Sequence, residues 1–73
     1  MTPPTLSPRE HEVFLAIAKG GRPKSIAHTL GISPKTVSVH KHNIWLKTRL
    51  FSPVEFYKAA VQWGWIEQEG LVV

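Results

Sequence analysis

Lys19, Arg22, Lys24, Lys35, Lys41, Lys47 and Arg49 all fall between Val13 and Val54, and that window holds no aspartate or glutamate. The carboxylates sit toward the two ends, at Glu10, Glu12, Glu55, Glu67 and Glu69. Cationic side chains gathered without intervening acids create a field that attracts a polyanion such as a nucleic-acid backbone. The formal net charge of +4 is modest, so the distribution carries the inference more than the total. A solvated surface with uneven charge is the competing account.

Other chemistries fit these residues poorly. His28, His40 and His42 are the candidates for a metal, yet His40 and His42 stand two apart and would point about 200° from one another on a helix. A helical ligand pair needs i, i+4 spacing, and neither cysteine nor acid lies in the segment. His40 is expected to be a partly buried, hydrogen-bonded residue. With no carboxylate between Val13 and Val54 to orient a histidine as base, Ser33 and Ser38 have no triad to join. No metal, no cofactor and no enzymatic activity are expected. The longest apolar run, Val13 to Ala18, falls far short of the roughly 18 residues of a membrane span. The N-terminal residues lack the basic then apolar order of a signal peptide, so the domain is expected to be soluble and cytoplasmic, with no membrane partner.

The elements that must position these groups are marked by one dipeptide used three times, Ser7-Pro8, Ser33-Pro34 and Ser52-Pro53. Serine accepts from the free amides of a first helical turn, and proline at the next position has a helical φ and no amide to leave unsatisfied. Glu10 and Glu55 complete capping boxes with Ser7 and Ser52, whereas Thr36 stands where the middle copy would have its acid. A helix start without its own anion is left open to a phosphate. The glycines near residues 20, 31 and 64 provide the stops. Helices are expected at about Ser7 to Lys19, Pro23 to Leu30, Pro34 to Arg49 and Pro53 to Trp63, with ends uncertain by roughly 2 to 4 residues. No alternation suggests a strand. The chain of 73 residues thus reads as one compact, all-α, four-helix domain over 6–66, with tails at 1–5 and 67–73.

The middle two helices meet at a short turn opened by Gly31, the local grammar of a helix-turn-helix. Ala27, Gly31 and Val37 have the spacing that motif needs, with Ile26, Leu30 and Ile32 as further apolar contacts. Stepping about 100° per residue from Val37 puts His40, Lys41, Ile44 and Thr48 on the core side. Lys35, Ser38, Val39, His42, Leu46 and Arg49 then face outward, a mixture suited to base edges and thymine methyls in a major groove.

These residues carry a resemblance. "LSPREHEVFLAIAKGGRPKSIAHTLGISPKTVSVHKHNI" followed by "VEFYKAAVQWGWI" is similar to the LuxR/GerE-type DNA-binding domain, from about Leu6 to Ile66. The resemblance implies a recognition helix over about 34–49 in the major groove of double-stranded DNA, a dimerising fourth helix, and transcriptional regulation in a bacterial cytoplasm. It implies base contacts from Ser38, Val39 and His42, and backbone contacts from Lys24, Lys35, Thr36, Asn43 and Lys47. Several residues depart from the family pattern: Ser25 where glutamate is usual, Thr48 and Arg49 where Leu-Gly is common, and apolar Leu15 and Leu46 at typically polar positions. The Thr48 change is expected to weaken the core end of the third helix.

The fourth helix offers two apolar faces, one with Val54, Tyr57 and Val61, the other with Phe56, Ala60 and Trp63. One suffices to close so small a core, so the face of Val54, Tyr57 and Val61 is expected to pair with a second copy. RNA polymerase or another regulator is a further conceivable partner. The competing function is an adaptor that keeps this fold but acts by binding another regulator through Leu15, Leu46 and the tryptophans.

Overall fold

The computed structural model describes residues 3–67, which form four helices and no strand among them. They are α1 (Pro8–Ala18), α2 (Pro23–Leu30), α3 (Pro34–Thr48) and α4 (Pro53–Gln62). Each expected helix is present, the first, third and fourth ending one residue earlier than the sequence suggests. Of the two expected tails, Met1, Thr2 and residues 68–73 lie outside the described residues.

The serine-proline dipeptides do what their chemistry requires. Ser7 and Ser52 accept from the amides of Glu10 and Glu55, whose carboxylates return to the serine amides. At α3 the Ser33 hydroxyl accepts from the Thr36 amide at 3.1 Å and shares a hydrogen bond with the Thr36 hydroxyl at 2.9 Å. The first turn of α3 contains no acid.

Phe14 of α1 and Phe56 of α4 stack at the centre, with ring centroids 4.7 Å apart. Val13 and Ile17 of α1, Ile26 and Ala27 of α2, Val37 and Ile44 of α3, and Ala59 and Ala60 of α4 complete the core. Trp63 and Trp65 close its end, with centroids 5.9 and 5.2 Å from that of Phe14. Two of the three tryptophans are therefore spent on the fold. Leu15 is half-buried and packs against the same cluster.

The α2–α3 turn fixes the position of the recognition helix. Gly31 adopts a left-handed conformation, φ 68° and ψ 34°, and the amide of Ile32 donates to the Ala27 carbonyl at 3.0 Å. A side chain at Gly31 would strain the backbone rather than clash, because nothing lies within 4 Å of where its Cβ would stand. The other end of α3 also closes left-handed, but at Arg49, φ 60°. This is the place where glycine is common in the resembled family, and its conformation shows why.

Three expectations on α3 need correction. Lys41 is exposed rather than turned to the core, because its long stem can lie along the helix flank while the ammonium stays in water. His40 is half-buried, but it makes no hydrogen bond among the described residues. Thr48 does not simply weaken its end of the core. Its hydroxyl donates to the Ile44 carbonyl at 2.9 Å and accepts from the Leu50 amide at 3.2 Å, satisfying groups that a helix terminus otherwise leaves open.

Candidate nucleic-acid interface

α3 packs Val37 and Ile44 inward and leaves Lys35, Ser38, Val39, His42 and Leu46 in solvent. Val39 is 52% exposed, a large fraction for a branched apolar side chain, and it stands between the polar tips of Ser38 and His42. The Ser38 hydroxyl donates back to the Pro34 carbonyl at 3.2 Å, which leaves its lone pairs outward as acceptors. The face therefore offers an acceptor, a pair of methyl groups and an imidazole within about one turn of helix.

Cations surround this face unequally. Lys24 at the start of α2 and Lys35 in the first turn of α3 are exposed, and neither has an ion-pair partner among the described residues. Thr36 and Asn43 are half-buried beside them in sequence. Lys47 differs: its ammonium lies 2.6 Å from Oε1 of Glu10, reaching from α3 back to α1. The Glu10 carboxyl is nearly buried, and its pKa is lowered by the Lys47 hydrogen bond first, then by the Ser7 amide, with burial opposing both. Lys47 thus ties the recognition helix to the scaffold, a role sequence spacing does not reveal across 37 residues.

On α4 the two apolar faces separate as packing requires. Phe56 and Ala60 are buried, and Trp63 is half-buried beside them. Val54 is exposed, while Tyr57 and Val61 are half-buried on the opposite flank. The residues expected to pair with a second copy are thus those the core uses least.

One feature went unread in the sequence. Trp45 and Phe51 form an aromatic pair, ring centroids 5.6 Å apart, at the carboxyl end of α3. The Arg49 guanidinium stacks 4.6 Å from the Trp45 ring centroid. With Pro23, Ser38, Lys41, His42 and Leu50 they line a groove of about 370 Å³ that adjoins the exposed face of α3. Phe51 follows the end of a helix without any periodic pattern, so only its bulk in a polar connection could have marked it.

No helix among the described residues is long and apolar enough to cross a membrane. None of their side chains form a metal-holding cluster.

Comparison with known proteins agrees with this geometry. Residues 4–61 match the family described as bacterial regulatory proteins, luxR family. The transcriptional regulatory protein FixJ of Rhizobium meliloti is 42% identical over 60 residues, covering 82% of this chain and 29% of FixJ. The response regulator UvrY of Escherichia coli is 33% identical over 67 residues, or 92% of this chain and 31% of UvrY. The transcriptional regulatory protein UhpA of the same species is 40% identical over 60 residues, 82% of this chain and 30% of UhpA. The chain spans about a third of the length of these relatives. On the family match over most of its length, and on the helix-turn-helix its α2 and α3 build, the chain belongs to the luxR family of bacterial regulatory proteins.

Proposed function

We propose that this chain binds a specific double-stranded DNA sequence through α3, as a homodimer joined along α4, and so regulates transcription. The observation that carries the reading is the exposed face of Ser38, Val39 and His42, flanked by the unpaired ammonium groups of Lys24 and Lys35 in a segment without carboxylates. A helix fits lengthwise in a major groove about 12 Å wide, where each base pair shows a distinct pattern of donors, acceptors and methyls. Val39 favours a thymine methyl, and His42 donates to a guanine or accepts from an adenine amino group according to its tautomer. Lys24, Lys35, Thr36 and Asn43 hold the phosphates, the open first turn of α3 adds its amides, and Lys47 reaches a phosphate only while shared with Glu10. Val54, Tyr57 and Val61 join the two copies, so the preferred site is a pair of half-sites.

The test is selection from random duplexes with the wild type, Val39→Ala and His42→Ala. Three different preferred sites are expected, each substitution costing about 1 to 3 kcal/mol on the original site and little on random DNA. If all three proteins select the same site with equal discrimination, α3 does not read sequence and an adaptor role takes its place. A gel shift with random duplex separates those two roles at the outset, since an adaptor would bind none.

A further inference from the structure

The groove beside the reading face is the wrong chemistry for DNA alone. Phe51 is 70% exposed, Leu46 on the outward side of α3 is 48% exposed, and Trp45 and Leu50 form the groove floor half-buried. Interfaces with DNA are more polar and more cationic than interfaces with protein, whereas exposed tryptophan, phenylalanine and arginine gathered around a pocket are what protein partners bind. The groove has a cationic rim, from Lys41 on one wall and Arg49 stacked over Trp45. No acid between Val13 and Val54 offsets that charge. The matching occupant is therefore a polypeptide segment with one bulky apolar anchor and acidic neighbours.

Ser38 and His42 line this groove and also stand on the face assigned to bases. A segment seated here covers two of the three side chains that would enter the major groove. We propose that the groove of Trp45, Leu50 and Phe51 docks an acidic, apolar-anchored segment of a partner protein, and that its occupation and DNA binding are mutually exclusive. The first half stands on the groove itself, and the second rests on the DNA reading given above. In such an arrangement the partner's abundance sets how much of the regulator is free to bind DNA.

The full chain is screened against a display library of random peptides, and enriched sequences are synthesised with a fluorescent label. Expected are peptides with one leucine, phenylalanine or tryptophan flanked by aspartate or glutamate. Their binding, read by anisotropy, should weaken about tenfold or more in Phe51→Ser, as for a central aromatic anchor. Lys41→Glu should weaken them too. Phe51 is mostly exposed, so Phe51→Ser should fold normally and hold its selected duplex within about twofold of the wild type. Adding that duplex should release the labelled peptide from the wild type in proportion to duplex bound.

The proposal is overturned if no acidic, apolar-anchored sequence is enriched, or if such peptides bind Phe51→Ser as tightly as the wild type. It is equally overturned if Phe51→Ser loses duplex affinity as much as peptide affinity, because the groove would then belong to DNA. Peptide and duplex bound together refutes the exclusion. A chain that binds peptide through Phe51 but no duplex would defeat the DNA reading and the exclusion with it, while one that binds duplex and no peptide would defeat only the docking.

Discussion

Lys47 and Glu10 allow the sharpest test of what holds the recognition helix in place. Oε1 of Glu10 accepts from the Ser7 amide at 3.0 Å and from the Lys47 ammonium at 2.6 Å, so one oxygen serves both the cap of α1 and the tether to α3. Glu10 is only 6% exposed, which makes its hydrogen bonds costly to lose. A hydrogen bond to a charged group contributes about 1.5 to 3 kcal/mol. The Lys47 side chain is 42% exposed, so water screens the pair and the coupling should be about 1 to 2 kcal/mol. Glu10→Gln keeps a side chain able to close the capping box and removes the charge, and Lys47→Met keeps most of the stem and removes the ammonium.

Urea denaturation of the wild type, both single variants and the double variant gives the coupling directly. Each single substitution should cost about 1 to 2 kcal/mol, and the double variant should cost less than their sum by the coupling. Additivity within about 0.3 to 0.5 kcal/mol would refute the tether. The pH dependence has a definite sign. Folding lowers the Glu10 pKa beneath its ordinary value of 4.5, so its contribution is complete above that value. It is lost as pH falls through the lower, folded value. Glu10→Gln should therefore lose less stability between neutral and acidic pH than the wild type, and a parallel decline in both proteins would contradict the assignment.

The remaining expectations concern binding and the backbone. Lys24→Ala and Lys35→Ala should each weaken specific and random duplex alike and reduce the slope of log affinity against log salt by about one unit, measured by fluorescence titration at several salt concentrations. Lys47→Ala should change that slope less, because Glu10 already holds its charge. Gly31→Ala should lower stability by about 1 to 2 kcal/mol in thermal or urea unfolding, from the left-handed backbone alone. Val54→Asp should abolish self-association in analytical ultracentrifugation, with and without the selected duplex, while the α-helical circular dichroism is retained. Strictly monomeric wild type under both conditions would remove the dimer from the reading.

The parts of this fold legible in the sequence are those whose causes are local. A serine hydroxyl, a proline ring and a carboxylate three residues on act within one turn, so the three serine-proline starts can be read without knowing the rest of the chain. The stop at Gly31 is equally local, since only its own φ is at issue. Periodicity then placed Val37 and Ile44 inward, but it failed for Lys41, because a helical wheel assigns a direction to Cβ and says nothing of where a long stem carries its charge. The tether between Glu10 and Lys47 was invisible for a different reason. Each residue already had a sufficient local explanation, one as a cap and the other as a basic residue at a position suited to phosphate. Their contact depends on the angle at which α1 and α3 cross. The groove of Trp45 and Phe51 combines both difficulties, since Phe51 belongs to no periodic pattern and its neighbour is fixed by the left-handed turn at Arg49. That turn bends the chain back so that Leu50 packs on the core and Phe51 is left beside Trp45. A glycine there would permit the same turn but could not place a guanidinium over the indole, so the substitution that departs from the family pattern is also the one that gives the groove its cation.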